Sequence, residues 1–176
     1  MNSLEIFQLA LNLPRPWFVT SVTFQEHQTS KKTLHINIGF TKGHKFTEDT
    51  IVHDTQSREW RHLNMFEHEC YITCNVPRVK SKEGKVSLVE VPWARKNSGF
   101  TLLFEALSMA LIENEMPVNK AAGIVGEYPQ RLWTIFNYWI SIAYNEDKQS
   151  EVKRMGIDET SVRKGHNYTN LTIMHV

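Results

Sequence analysis

Two groups of polar residues in this chain have types and spacings that could do chemistry. The first is the pair Asp158 and Glu159, which follows a short apolar lead-in at Gly156 and Ile157 and precedes a basic, glycine-containing tip at residues 163–166. Two-metal phosphoryl-transfer sites hold two hard cations roughly 4 Å apart on several carboxylates, and an acid at the exit of a strand suits their first ligand. An acidic pair at a strand end is also typical of a solvated turn, so spacing alone leaves both interpretations open.

The second group is basic. Residues 78–96 carry six Lys and Arg against two Glu, a net charge of +4, whereas residues 97–147 carry two basic residues against six acids, a net charge of −4. A phosphate-binding surface is therefore expected on the basic stretch, although a solvated hairpin has the same composition. The candidate phosphate contacts are Lys80, Lys82, Lys85, Arg95 and Lys96.

The elements that must position these groups follow from the period of the apolar residues. Residues 1–13 have a helical stripe at Leu4, Phe7 and Leu11, and Pro14 ends it. From residue 17 to residue 91 the period drops to two, which predicts several short strands in hairpins. The alternating residues are Val22 and Phe24; Leu34, Ile36 and Ile38; Cys70, Ile72 and Cys74; and Val86, Leu88 and Val91.

From residue 100 the period becomes helical again. We predict helices over residues 100–115, 118–126 and 128–144, with Pro117 restarting the second and Gly126 as its left-handed cap. The expected core side of the first is Phe100, Leu103, Phe104, Leu107, Ala110 and Leu111. That of the last is Leu132, Ile135, Phe136, Trp139, Ile140 and Ala143. Residues 145–150 are polar and are the most linker-like stretch of the chain.

A small-residue helix, a glycine turn and a longer helix are typical of a helix-turn-helix, whose last helix enters the major groove, and a plain helical hairpin shares the pattern. The candidate groove-facing residues are Tyr128, Gln130, Arg131, Thr134 and Asn137. Arg and Gln have the donors and acceptors to read guanine and adenine edges respectively. Trp133 and Trp139 could stack on nucleic acid, but at helical spacing we expect them in the core.

Six ordered pieces of the chain resemble a bacterial insertion-sequence transposase of the DDE type with an N-terminal zinc ribbon and a helix-turn-helix. The resemblance covers roughly residues 35–176 and rests on the order of the pieces rather than on any one of them. They are residues 52–55 (VHDT), 58–63 (REWRHL), 76–80 (VPRVK), 91–94 (VPWA), 100–105 (FTLLFE), and 156–159 with 163–168 (GIDE and RKGHNY).

The resemblance implies an α+β chain in three parts. These are a helix and a β-rich, zinc-ribbon-like module at residues 1–95, a helix-turn-helix module at 96–147, and the first strands of a truncated RNase H-like catalytic domain at 148–176. Asp158 would be the first of three catalytic acids that bind magnesium. The second Asp and the final Glu lie downstream in the family and are absent here, so we expect no DNA cleavage by these residues alone.

Aligned by the neighbouring pieces, the zinc knuckles fall at residues 40–43 and 81–84. The ligand positions hold Phe40, Gly43, Ser81 and Gly84, none of which binds zinc, so we expect no metal here. Apolar packing by residues such as Phe40, Phe46 and Trp60 must then replace the folding energy of the metal. Cys70 and Cys74 share one face of a strand and are expected to be reduced rather than to replace the lost ligands.

The partner that the resemblance implies is double-stranded DNA at the element's terminal inverted repeats. A homo-oligomer is compatible with it, and no apolar run reaches the ~20 residues that a membrane helix needs. The expected location is the bacterial cytoplasm, on the nucleoid. Two alternatives remain at this stage: a free-standing DNA-binding regulator or repressor, and an inactive transposase remnant.

Overall fold

The computed structural model describes residues 3–26, 32–48, 50–146, 154–163 and 167–175, with side chains between residues 4 and 145. The chain divides into two compact units, Met1–Phe136 and Asn137–Val176, and the division falls within one helix. No described helix is long and apolar enough to cross a membrane.

The elements follow one another in the order helix, five strands, three helices and two strands. They are α1 (Ser3–Leu11), β1 (Trp17–Glu26), β2 (Lys32–Phe40), β3 (Thr50–Met65), β4 (His68–Ser81), β5 (Val86–Leu88), α2 (Leu102–Glu113), α3 (Val118–Val125), α4 (Pro129–Glu146), β6 (Arg154–Arg163) and β7 (Asn167–His175). The mixed α+β class is confirmed. The zinc-ribbon-like and RNase H-like assignments and the three domain boundaries stay predictions.

Strands β1 to β5 form one sheet in the order β1-β2-β4-β3, with β5 pairing β4. The prediction of short strands in hairpins is wrong in two respects. Strand β3 has 16 residues and β4 has 14, and β2 pairs β4 in parallel. Periodicity reports which face a side chain occupies but not which strand lies alongside, and the exposed, polar first half of β3 has no clear alternation.

On β2 and β4 the core face of the sheet consists of the alternating residues that the sequence indicates, whereas Phe24 of β1 and Val86 of β5 are exposed. Leu34, Ile36 and Ile38 of β2 lie beside Cys70, Ile72 and Cys74 of β4, and all six are buried. Both cysteines are free, and burial raises their pKa values to about 11 and about 12. The thiols therefore stay protonated and pack as small apolar groups.

An aromatic cluster closes one part of this core. The ring centroid of Trp17 lies 6.0 Å from Phe40, 5.6 Å from Phe46 and 5.1 Å from Trp93. Trp93 in turn lies 5.6 Å from Trp60. Such edge-on and tilted pairs add to the burial of apolar area. The expectation that Phe40, Phe46 and Trp60 contribute apolar packing to this module is confirmed.

The two predicted knuckle glycines lie in turns with positive φ, 79° at Gly43 and 84° at Gly84. Glycine adopts this conformation without a steric penalty. Among the residues that the structure describes, no three His, Cys, Asp or Glu side chains are grouped closely enough to share a metal ion.

The helices α2, α3 and α4 lie where the sequence places them, but two predicted core faces need correction. On α2, Leu103 is 55% exposed and Leu107 is exposed too, whereas the buried residues are Phe104, Glu105 and Ser108. Glu105 can lie on the buried side because Arg95 and Ser98 donate hydrogen bonds to its carboxylate. On α4, Leu132 and Ile135 are buried as predicted. Phe136 and Trp139 are partly buried, and Ile140 and Ala143 are exposed.

Strands β6 and β7 of the second unit form an antiparallel hairpin, in agreement with the predicted strand, hairpin and strand. Asp158 pairs with Leu171 in the middle of β6 rather than at the exit of a strand, because β6 continues to Arg163. The hairpin tip at residues 164–166 lies outside the described residues, as does most of the linker-like stretch, whose first two residues belong to α4.

Candidate nucleic-acid interface

Helix α2 is bound to the sheet through the residue that caps its N-terminus. Thr101 is its N-cap: the hydroxyl accepts a hydrogen bond from the Phe104 N–H. The Thr101 N–H donates to the Arg61 carbonyl of β3 at 3.0 Å. The Thr101 Oγ1 also lies 2.9 Å from Nδ1 of His62. A neutral imidazole accepts a hydrogen bond from this hydroxyl at Nδ1, which an imidazolium cannot do.

His62 makes the stability of the fold depend on pH. Burial, with a smaller contribution from the charge of Arg61, lowers its pKa from 6.5 to about 4. A depressed pKa stabilises the fold fully above pH 6.5, and this stabilisation is lost as the pH falls from 6.5 towards 4. Between about pH 7 and about pH 4.5 we expect His62 to account for a loss of about 2 kcal/mol in the free energy of unfolding.

Urea denaturation of the wild type and of His62→Gln at both pH values measures this loss. The variant is expected to show a smaller drop than the wild type, since carboxylates contribute equally to both. Equal drops would show that His62 titrates normally.

Glu105 is the buried anchor of the loop that leads into α2. Its carboxylate is fully buried, with Oε2 accepting from Nε of Arg95 at 2.9 Å and Oε1 accepting from the Ser98 hydroxyl at 2.6 Å. Arg95 is itself 16% exposed. The candidate phosphate contact Arg95 is thus already bound to a buried carboxylate and serves the fold here.

The turn between α3 and α4 is built as the sequence predicts. Gly126 has φ 72° and its N–H caps α3 by donating to the Ala122 carbonyl. The predicted left-handed cap is confirmed. Ala121 and Ala122 are buried, and their small side chains let α3 pack against neighbouring elements such as α2. The preceding residue, Val125, ends α3 with a carbonyl that points to Arg61.

Arg61 joins the sheet to the end of α3. The side chain is buried, with NH1 donating to the Cys70 carbonyl at 3.2 Å and NH2 donating to the Val125 carbonyl at 3.4 Å. It also hydrogen-bonds the His62 carbonyl and the Asn64 side chain. A cation at the C-terminus of a helix is favourable, because the last carbonyls carry partial negative charge.

The start of α4 presents an exposed face next to this turn. Gln130, Thr134 and Asn137 lie one to two turns apart, which puts them on one side of the helix, and all three are exposed. Tyr128, just before α4, is 75% exposed. Trp133 is 42% exposed, so its assignment to the core is wrong. It falls outside the 3–4 residue spacing of the buried Leu132 and Ile135, which could have been read from the sequence.

Arg131 differs from its neighbours on α4 because its guanidinium is held. NH1 donates to the Glu127 carboxylate at 2.6 Å, and the group lies 4.3 Å from the ring centroid of Phe100. An arginine stacked on an aromatic face and paired with a carboxylate is pre-oriented rather than mobile. Arg131 therefore connects α4 to the entrance of α2.

The basic residues lie mainly on the β4–β5 hairpin. Lys80, Lys82 and Lys85 are exposed around a turn in which the Gly84 N–H donates to the Ser81 carbonyl. Lys96 is exposed in the loop before α2. Apart from Arg95, the predicted phosphate contacts are thus accessible to solvent.

Residues 89–140 match the profile of the helix-turn-helix domain of transposase family ISL3. This part of the chain is a transposase-type helix-turn-helix domain. It begins at the loop before α2 and ends in α4, so it contains α2, α3 and the exposed face of α4.

Two curated relatives extend the similarity beyond this domain. The transposase for insertion sequence element IS1557 from Mycobacterium tuberculosis strain CDC 1551 / Oshkosh is 28% identical over 123 residues, which is 67% of this chain. The transposase of the same name from strain ATCC 25618 / H37Rv has the same identity and coverage. The aligned part spans 27% of the length of each relative. No solved structure matches this chain.

Proposed function

We propose that this chain is the DNA-recognition part of a DDE-type insertion-sequence transposase and that it binds the terminal inverted repeats of its element. The helix-turn-helix, docked on the sheet through Arg61 and presenting the exposed start of α4, carries the proposal. The relatives named as transposases for an insertion sequence element support the biological context. Its place of action would be the bacterial nucleoid.

In this proposal α4 enters the major groove and the basic hairpin holds the backbone. Gln130, Thr134 and Asn137 face base edges, and Tyr128 lies at the edge of the groove. Arg131 reaches guanine by exchanging the Glu127 carboxylate for the base. Lys80, Lys82, Lys85 and Lys96 contact phosphates and give affinity without sequence preference.

Two parts of the proposal concern metals. Asp158 would be the first carboxylate of a magnesium site that needs further acids, so these residues alone would bind DNA without cutting it. The β-rich module would fold without zinc, held by the aromatic cluster around Trp17 and Trp93.

Salt-titrated binding to the cognate repeat and to a scrambled duplex of equal length tests the two roles. Gln130→Ala is expected to lose ~1–3 kcal/mol on the cognate duplex and little on the scrambled one, because a base contact is lost. Lys85→Ala is expected to weaken both duplexes alike and to reduce the slope of log K against log salt by about 0.9, because one phosphate contact is lost.

Lys120→Ala, an exposed lysine on α3, serves as the matched control for a change of charge in the same domain. If Gln130→Ala weakens both duplexes equally, α4 does not read bases. If the wild type binds neither duplex at low salt, the DNA-recognition role is refuted.

A further inference from the structure

Strand β3 is an edge of the five-stranded sheet. It pairs with β4 on one side, and in the described part of the chain no strand pairs with its other side between residues 50 and 59. Residues 55–57 and Glu59 are exposed, and Asp54 and Arg58 are half-buried. A long, open edge displays unpaired N–H and C=O groups that can pair with another strand.

The backbone of β3 shows which residues point these groups outward. The Arg61 N–H donates to the Gly99 carbonyl, and the Arg61 carbonyl accepts from the Thr101 N–H. The backbone N–H and C=O of Arg61 therefore point away from β4. The register with β4 is regular from Asp54 to His62. Because the direction of the backbone N–H and C=O groups alternates from one residue to the next, those of Glu59, Ser57 and Thr55 also point away from β4. Thr55 lies opposite Pro77, which has no N–H to donate to it.

We propose that β3 pairs antiparallel with β3 of a second copy of this chain, about a two-fold axis at Gln56. In this register Thr55 and Ser57 of each copy exchange backbone hydrogen bonds with Ser57 and Thr55 of the other, as their outward direction requires. Asp54 of each copy then lies opposite Arg58 of the other. Shifting the register by two residues either way loses both charge pairs, and shifting it by one places inward-facing groups against outward-facing ones.

The charges on the edge favour a second copy as the occupant. Asp54 already accepts a hydrogen bond from Nε of Arg78 on β4 at 2.6 Å, and this contact holds the pKa of the carboxyl below its ordinary range. Pairing would therefore place three charged side chains next to one another on neighbouring strands, with Asp54 between Arg78 of the same copy and Arg58 of the other copy. The segment 99–101 occupies the edge at Arg61, so the ladder would end near Glu59 and stay short.

The pairing joins two helix-turn-helix domains into one two-fold particle, the commonest symmetry of homo-oligomers. A short ladder of this kind gives a weak dimer whose population rises with protein concentration. The inference rests on the sheet edge and not on DNA binding. A monomeric wild type would leave the proposed DNA recognition intact.

Sedimentation velocity of the full chain over a concentration series tests the dimer. Arg58→Asp and Asp54→Arg, each alone, place like charges opposite each other twice and are expected to weaken self-association about tenfold or more. Mixing the two variants restores opposite charges in both pairs and is expected to recover a dimer. Lys85→Asp makes the same change of charge on the exposed hairpin and is the matched control, and circular dichroism checks the fold of each variant.

A crosslink tests the register even if a charge variant does not fold. Gln56 is exposed and would face itself in a pair without backbone hydrogen bonds, where Cβ atoms lie about 4.5–5.5 Å apart. Gln56→Cys is expected to form a disulfide dimer under mild oxidation, whereas Lys85→Cys is not, and the buried Cys70 and Cys74 stay out of reach. A wild type that stays monomeric at all concentrations overturns the proposal, as does a dimer unaffected by Arg58→Asp and not crosslinked by Gln56→Cys.

Discussion

Replacing Glu105 with alanine is expected to lower the free energy of unfolding by about 3–5 kcal/mol, because Arg95, which is only 16% exposed, loses the fully buried carboxylate that it is paired with. The change removes the acceptor of Nε of Arg95, and at the same time the acceptor of the Ser98 hydroxyl. Arg95 and Ser98 both lie in the loop before α2, so this loop loses hydrogen bonds that connect it to the helix. Urea denaturation of the full chain at neutral pH measures the change.

Two further variants separate the effect of the Glu105 charge from that of losing any glutamate on α2. Glu113→Ala removes an exposed glutamate from the same helix and is expected to change stability by about 0.5 kcal/mol or less. Glu105→Gln keeps the size of the side chain and its hydrogen bonding to Ser98 but removes the negative charge beside Arg95. It should therefore lie close to Glu105→Ala. If Glu105→Ala lowers the free energy of unfolding no more than Glu113→Ala does, the Arg95–Glu105 pair contributes no net stability.

The sequence predicts the parts of this fold that are decided locally, by the alternation of apolar residues or by the backbone preference of one residue. The alternation of Leu34, Ile36 and Ile38 gives the buried face of β2, because a sheet covered on one side needs period two. Gly126 marks the end of α3, because few other residues adopt its left-handed conformation cheaply. Both features are local, so a single sequence contains the information for them.

The hydrophobic pattern fails to predict the buried face of α2 because this helix buries polar residues. Glu105 and Ser108 are fully buried, while Leu103 is exposed. A hydrophobic pattern assumes that charged residues face solvent, which holds unless a partner compensates the charge. The partners Arg95 and Ser98 lie seven to ten residues earlier, in a loop whose course the pattern does not give.

The candidate interface was predictable only in part for a similar reason. The exposed positions Gln130, Thr134 and Asn137 follow from helical spacing once the buried side of α4 is known. The stacking of Arg131 on Phe100 and the capture of Arg95 by Glu105 are contacts between separate elements. They decide which cations are available to a ligand, and charge counting along the chain treats all of them alike.

Arg61→Ala is expected to lower the free energy of unfolding by about 3 kcal/mol, since it removes buried hydrogen bonds and opens a cavity. The affected acceptors are the carbonyls of Cys70 and Val125, one in the sheet and one at the end of α3. The guanidinium also lies over the rings of Tyr71 and Phe104, at 5.4 Å and 5.5 Å from their centroids. Urea denaturation measures the total effect.

Amide hydrogen exchange shows where this effect is felt. Because Arg61 connects two substructures, its loss should reduce protection most in α3 and the Gly126 turn and less in β2 and β4, which keep their ladder. Arg61→Lys should behave much like the alanine variant, since one ammonium group cannot reproduce the planar set of donors that reaches both carbonyls. Arg58→Ala, on the same strand but partly exposed, is the control and should leave protection in α3 unchanged. If Arg61→Ala lowers protection evenly over the sheet and α3, then Arg61 supports the core as a whole, and something else fixes the helix-turn-helix to the sheet.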